Sequence, residues 1–163
     1  MENLSIRKAN ENDLNRILEI YSYARSYMAK TNNPTQWGGS YPSRELLESD
    51  IKAGHLYVIA LDNALHGVFA FIEGEDPTYS KIVDGNWLSS SPYGTIHRIA
   101  GDGSIKGLFE IALDFCSSLN PHIRLDTHED NKVMQHLAVK NGFRKCGTIF
   151  VEDGSPRIAF EKI

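Results

Sequence analysis

His97 lies in a run of β-forming residues, and a glycine-rich turn that contains Lys106 follows it. An imidazole titrates near neutral pH and can take a proton from a reacting group. Glycine permits tight turns, and unpaired amides at a helix start attract anions, as does a nearby lysine. Positions 95–109 therefore predict a base beside an anion-binding turn. Alternatively, His97 is a half-buried strand histidine whose ring only hydrogen-bonds to the backbone.

The elements that must position these residues follow from apolar periodicity and turn signals. The predicted strands cover 4–8, 55–61, 65–72, 93–100, 122–127, 144–152 and 156–162, and the predicted helices cover 14–31, 43–54, 105–118 and 131–141. Two long loops, 32–42 and 73–92, separate them. Alternating strands and helices of this kind predict an α/β fold with a mixed sheet covered by helices.

Length and composition indicate one ordinary globular domain over 1–163. The chain has 41% hydrophobic and 23% charged residues, which argues against disorder. A net charge of -4 gives no positive field for nucleic acid or an anionic membrane. Because no run approaches the roughly 20 apolar residues of a membrane span, we expect a cytoplasmic protein. Cys116 and Cys146 are too few for a disulfide framework.

A second motif runs from Asn131 to Phe143. It resembles the N-x-x-A-x-x-L-Y-x-x-x-G-F helix of the GNAT superfamily of N-acetyltransferases, with Asn131, Leu137, Gly142 and Phe143 in register. The order of elements resembles that family over nearly the whole chain. The resemblance implies a mostly antiparallel sheet of about seven strands, about four helices, and fourth and fifth strands that splay apart.

The turn after His97 looks like the pyrophosphate loop of that family, and the family's cosubstrate is acetyl-CoA. Ser104 and Phe109 depart from the pattern Q/R-x-x-G-x-G/A, in which Gly107 matches. An ordinary glycine-rich turn before a helix is the alternative. The resemblance assigns acetyl-CoA binding to Ile99, Ala100, Gly103, Ser104, Lys106, Gly107, Leu108 and Asn131.

The resemblance also implies a reaction, transfer of the acetyl group to a primary amine of a small molecule or peptide by direct attack. An amine is mostly protonated at neutral pH, so His97 is the candidate base. The amides near Ile99 and Ala100 would polarise the thioester carbonyl. Many relatives carry a tyrosine that protonates the thiolate, but Ala138 stands at its position, and Tyr93 or a water is the substitute.

Four aromatic residues in the two long loops are candidates for the wall of an acceptor pocket. Anchoring of the loops to the core is their alternative role. These residues are Trp37, Tyr41, Tyr79 and Trp87.

A rival function is a non-catalytic domain of the same fold that binds or senses acetyl-CoA. The degenerate turn and the missing tyrosine motivate it. The sequence leaves open whether the protein forms a homodimer. It predicts no metal site, because Lys132 replaces the second histidine that His128-Glu129 would need in a zincin motif.

Overall fold

The structure is a computed structural model that describes residues 3–163. The strands are β1 Leu4–Lys8, β2 Leu56–Leu61, β3 Ala64–Glu73, β4 Gly94–Gly101, β5 Ile123–Thr127, β6 Arg144–Phe150 and β7 Pro156–Lys162. The helices are α1 Leu14–Lys30, α2 Arg44–Ala53, α3 Leu108–Leu119 and α4 Lys132–Lys140. Short 3₁₀ turns occupy Glu11–Asp13 and Pro77–Tyr79.

All seven strands belong to one sheet in the order β1-β2-β3-β4-β5-β7-β6. Every neighbouring pair is antiparallel except β4 and β5. The chain crosses between these two parallel strands through α3, as a parallel connection requires. The predicted mixed, mostly antiparallel sheet with four helices is therefore confirmed.

Strands β4 and β5 pair only at their first residues. Gly94 faces Ile123 and Thr95 faces Arg124, and no later residue of β4 pairs with β5. The strands therefore diverge beyond these positions, which confirms the predicted splay. Backbone groups on the facing edges of both strands are left without a strand partner.

The sheet carries apolar side chains on both faces because successive strand residues point in opposite directions. In β2, Val58 packs in the cluster that includes α1 and α2, whereas Ile59 packs in the cluster that includes α3 and α4. The helices therefore cover the sheet in two layers, one on each face. Within residues 3–163, no helix is both long and apolar enough to cross a membrane.

One predicted boundary differs in a way that matters for the site. The apolar spacing predicts that helix α3 begins at Ile105, whereas it begins at Leu108. Gly107 is in the left-handed region with φ +69°, and a helix cannot continue through that conformation. Residues 102–107 therefore form an exposed turn ahead of the helix instead of its first turn.

Candidate functional site

The splay between β4 and β5 opens into a cleft of about 730 Å³. Ile96–Ile99 of β4 form one wall and Leu125–Thr127 of β5 form the other. The loop between α1 and α2 covers the cleft with Trp37 and Tyr41, and Asn131 lines it from the start of α4. The divergence of two parallel strands thus creates a concave site next to His97.

His97 makes a side-chain contact with a residue that the sequence did not single out. Its Nε2 lies 2.9 Å from Oδ2 of Asp76, which belongs to the long loop between β3 and β4. Both side chains line the cleft, and they are 20% and 17% exposed. With Nε2 held by a carboxylate, Nδ1 is the ring nitrogen left for a substrate proton.

Asp76 is fixed by several further contacts. Its Oδ1 accepts hydrogen bonds from the backbone N–H and the hydroxyl of Thr78, and its own N–H donates to the hydroxyl oxygen of Tyr93. Burial opposes ionisation, but the hydrogen bonds from His97 and Thr78 outweigh it and lower the pKa of Asp76 to about 2. Asp76 is therefore a carboxylate at neutral pH.

A second carboxyl group, that of Asp126 in β5, lies on the opposite wall. Continuing the register from Thr95 and Arg124 places His97 and Asp126 across the split from each other. The hydroxyl of Tyr79 donates to Oδ2 of Asp126 at 2.6 Å. Burial raises the pKa of Asp126. The two walls thus present an imidazole and a carboxyl group to the same space.

The middle of β4 contains a β-bulge. Val68 pairs with Ala100 and Ala70 pairs with His97, so that two residues of β4, Arg98 and Ile99, stand opposite one of β3. Arg98 has φ +53°, a left-handed conformation that a non-glycine residue rarely adopts. The bulge leaves backbone groups unpaired at the wall of the cleft, where an acyl oxygen could accept from them.

The turn between β4 and α3 is the segment in which the sequence predicts an anion cradle. Gly103 and Gly107 are left-handed, and no side chain caps the N-terminus of α3. Gly103, Ser104, Lys106 and Gly107 are all exposed. The N–H of Ser104, however, already donates to Oδ1 of Asp102.

Asp102 places a negative charge in this turn, and two basic side chains offset it. Arg16 of α1 and His66 of β3 both contact its Oδ2. Leu108 does not face the turn; its side chain packs over β3 and β4, where a Cβ on Gly67 would lie 2.6 Å from it. The exposed glycines and Lys106 have the chemistry that a diphosphate site needs, and Leu108 anchors α3 to the sheet.

Asn131 is held at the mouth of the cleft. Its Oδ1 accepts from the N–H of Met134 and so caps α4, while its Nδ2 donates to Oε1 of Gln36 at 3.0 Å. The same oxygen of Gln36 accepts from Asn33 at 2.9 Å. Gln36 thereby ties the loop between α1 and α2 to α4. In this structure the Asn131 side chain is engaged by protein partners.

The four loop aromatics divide between two cavities. Trp37 and Tyr41 line the main cleft, and the Trp37 ring packs edge-on against Tyr21 at 5.6 Å between centroids. Tyr79 and Trp87 instead line a neighbouring cavity of about 530 Å³, to which Asp76 also contributes. Tyr79 is buried and bonds Asp126, so it also anchors its loop.

Ala138 is fully buried in the core beneath the cleft. Its methyl group has no proton to give to a leaving thiolate. Ile99 lines the cleft and Ala100 is buried behind it. No group of three or more His, Cys, Asp or Glu side chains within residues 3–163 is arranged to hold a metal ion.

Sequence reasoning did not identify Asp76, Asp126 or Arg98 as site residues. Asp76 is followed by Pro77, a pattern that predicts a turn but gives no sign that the side chain reaches β4. Arg124 and Asp126 are charged residues within a short, otherwise apolar strand, which is a signal for a polar site. The left-handed backbone of Arg98 leaves no mark in the sequence.

Comparison with solved structures identifies the family. An acetyltransferase of the GNAT family from Streptococcus agalactiae 2603 is 34% identical to this chain, with a TM-score of 0.83, and the match covers 98% of this chain and 95% of that one. A scan against family sequence models finds no match. A search of curated protein sequences finds none either.

Two more distant structures share the fold. A GNAT-family acetyltransferase from Listeria monocytogenes 4b F2365 has 20% identity and a TM-score of 0.73, covering 98% of this chain and 94% of that one. The protein yncA from Salmonella typhimurium, solved with its cofactor acetyl-CoA, has 15% identity and a TM-score of 0.58, covering 98% and 92%. The chain belongs to the GNAT family of acetyltransferases, as its sequence motifs predicted.

Proposed function

We propose that this protein transfers the acetyl group of acetyl-CoA to a primary amine of a small molecule or peptide, in the cytoplasm, by direct attack. In this step the amine nitrogen bonds to the acetyl carbon and the C–S bond of the thioester breaks. The amine proton goes to His97, and the electron pair of the broken bond leaves on sulfur. Family membership supports the acetyl transfer in general.

The contact between His97 and Asp76 is the observation that carries this proposal. A carboxylate with a pKa of about 2 fixes the imidazole and stabilises the positive charge that it gains with the proton. Asp126 on the facing wall offers a second acidic group to an incoming ammonium. A cleft of this polarity suits an amine acceptor better than an anionic one.

The missing tyrosine is compatible with this reaction. A thiol has an ordinary pKa of about 8.5, so the coenzyme A sulfur can leave as a thiolate without full protonation. Burial raises the pKa of Cys116 to about 12 and also raises that of Cys146, which disfavours either thiol as a nucleophile. Direct attack therefore needs fewer reactive groups than a route through an acetyl-cysteine.

A variant of His97 tests the role of the base. We expect His97→Ala to lower kcat/KM for the amine by about 10²-fold or more near neutral pH, because the removed group no longer accepts the amine proton. At high pH the amine deprotonates on its own, so the defect should shrink. A pH–rate profile parallel to that of the wild type would remove His97 from the proton transfer.

The alternative function is a non-catalytic acetyl-CoA sensor, which the degenerate turn and the alanine at position 138 favour. Calorimetry with acetyl-CoA and a thiol-release assay with a panel of amines separate the two functions. Binding with thiol release supports the enzyme, and binding without release for any amine supports the sensor. If acetyl-CoA does not bind at micromolar concentration, both proposals fail.

A further inference from the structure

We propose that Tyr21 and Asp50 are positioning residues for acetyl transfer, because together they hold the β-bulge of β4 so that the Ile99 amide faces the thioester carbonyl. This inference rests on the proposed function. It concerns residues of α1 and α2, outside the pair formed by His97 and Asp76.

The bulge is the part of β4 that requires support. Arg98 adopts φ +53°, which brings its Cβ close to the backbone and is disfavoured for every residue except glycine. The neighbouring strand β5 contributes nothing here, because its pairing with β4 ends at Thr95. Contacts from other elements must therefore maintain this backbone conformation.

Tyr21 fixes the orientation of one peptide group in the bulge. Its hydroxyl donates to the carbonyl oxygen of Arg98 at 2.6 Å. Burial raises the pKa of Tyr21, so the hydroxyl keeps its proton and remains a donor. In a trans peptide the carbonyl and the next N–H point in opposite directions. With the Arg98 carbonyl held toward α1, the Ile99 N–H is directed away from α1, and Ile99 lines the cleft.

Asp50 holds the side chain of the same residue. Its Oδ2 accepts from Nη2 and Nε of Arg98 at 2.7 Å and 3.1 Å. The two side chains are only 10% and 7% exposed, so water screens this pair weakly. Arg98 is thus held at its carbonyl by α1 and at its guanidinium by α2, and rotation of the bulge would break both contacts.

Removing the Tyr21 hydroxyl tests the first contact. A donor to the acyl oxygen contributes about 10²- to 10³-fold to kcat in other enzymes, so we expect Tyr21→Phe to lower kcat at least tenfold with little change in KM for acetyl-CoA. The buried Tyr57 of β2 supplies the matched control. Tyr57→Phe should leave kcat within about twofold. An unchanged kcat in a folded Tyr21→Phe variant would overturn the proposal.

Two variants of Arg98 separate backbone conformation from charge. Arg98→Gly loses the ion pair but adopts the left-handed conformation readily, whereas Arg98→Ala loses the pair and also disfavours that conformation. We expect kcat of the glycine variant to exceed that of the alanine variant by roughly tenfold. If both variants lose kcat to the same extent, the guanidinium itself acts in the reaction. If both keep the wild-type kcat, the conformation of the bulge does not matter. Either result overturns the proposal.

The activity of the wild-type protein distinguishes a failure of this inference from a failure of the proposed function. If wild-type protein releases no thiol from acetyl-CoA with any amine, the proposed function fails, and the Arg98 and Tyr21 variants are then compared by acetyl-CoA affinity alone. If wild-type protein is active and the variants match it, only the role of Tyr21 and Asp50 fails. A selective loss of kcat in Asp50→Asn, with the His97-dependent pH profile retained, completes the expected pattern.

Discussion

His97 and Asp76 lie 2.9 Å apart on one wall of the cleft, and each has a role that depends on the other. The imidazole needs a fixed tautomer to accept a proton at Nδ1, and the carboxylate fixes it by holding Nε2. The carboxylate stays ionised because hydrogen bonds from His97 and Thr78 offset the burial that opposes its charge. We therefore propose that His97 accepts the proton and that Asp76 orients the imidazole.

Replacing Asp76 with asparagine keeps the size of the side chain and removes the charge. We expect Asp76→Asn to lower kcat/KM for the amine by about 10- to 100-fold, because the imidazolium loses its partner and the imidazole loses its fixed orientation. Since the pKa of Asp76 is about 2, the carboxylate is fully ionised above pH 4, and its own titration should leave no limb in a profile from pH 5 to 9.

The matched control is Glu73→Gln, which makes the same chemical change on an exposed residue of β3. Its kinetic constants should equal those of the wild type. A pH–rate profile of Asp76→Asn that superimposes on the wild-type profile would contradict the role of Asp76.

The sequence was sufficient to single out His97 because strand position and residue type together predicted a base. It was insufficient for Asp76, which reaches His97 only because the long loop after β3 folds back against β4. Nor could it reveal the bulge, since a left-handed Arg98 depends on contacts with Tyr21 and Asp50 from distant segments. Tertiary contacts of this kind decide side-chain geometry and are not encoded in local spacing.

Among the elements, β4 and the turn that follows it carry most of the site. The strand supplies His97 and the bulge, and the turn leads into α3, whose N-terminus has no side-chain cap. Both helix periodicity and strand alternation predicted these elements, and their boundaries differ from the prediction by only a few residues. The start of α3 is the largest difference, and Gly107 explains it.

Gly107 permits a test of the cradle in which a substitution disfavours the backbone conformation of the turn without adding a steric clash. A Cβ at this position would have no neighbour nearer than 4.0 Å, so alanine adds no clash, but φ +69° makes it unfavourable. We expect Gly107→Ala to raise KM for acetyl-CoA about fivefold or more by distorting the turn, with little change in kcat. Steady-state kinetics with varied acetyl-CoA measure this effect.

Gly154, in the turn between β6 and β7, supplies the control. It is also left-handed, with φ +85° and no atom within 4 Å of an added Cβ. Gly154→Ala should lower the melting temperature about as much as Gly107→Ala does and leave KM for acetyl-CoA unchanged. Equal KM values in both variants would contradict the assignment of the cradle.

For the whole molecule, a buried ionic cluster connects the sheet to the loop that carries Asp76. Glu161 of β7 is fully buried and accepts hydrogen bonds from His122, from Arg124 and from the N–H of Leu88. The Arg124 guanidinium lies between the rings of Trp87 and Tyr93, 3.9 Å and 4.0 Å from their centroids. The loop is thereby fixed to the sheet next to the site.

Removing the charge of Glu161 should therefore destabilise the fold. We expect Glu161→Gln to lower the free energy of unfolding by about 3 kcal/mol near pH 7, because Arg124 would remain buried without its carboxylate. Urea denaturation measures this value. Asp114→Asn, on the exposed side of α3, is the control and should change it by less than about 0.5 kcal/mol.

We expect the loss of stability in Glu161→Gln to depend on pH. Burial raises the pKa of Glu161, but hydrogen bonds from His122 and Arg124 outweigh it and leave the pKa below its ordinary value. A folded-state pKa below the unfolded one stabilises the fold above the unfolded pKa of about 4.3, and this stabilisation is lost as the pH falls through the folded value. The difference in the free energy of unfolding between wild type and Glu161→Gln should therefore shrink below pH 4. A difference that stays constant down to pH 2 would contradict the lowered pKa of Glu161.

Mass spectrometry gives the sharpest test of acetyl transfer to an amine with His97 as the base. Purified protein is incubated with isotope-labelled acetyl-CoA and a cell metabolite extract, and labelled products are compared between the wild type and His97→Ala. We expect at least one labelled N-acetyl product that depends on the wild-type protein and falls strongly in the variant near neutral pH. If wild-type protein yields no labelled amide, or if His97→Ala yields as much of it, the proposed function is wrong.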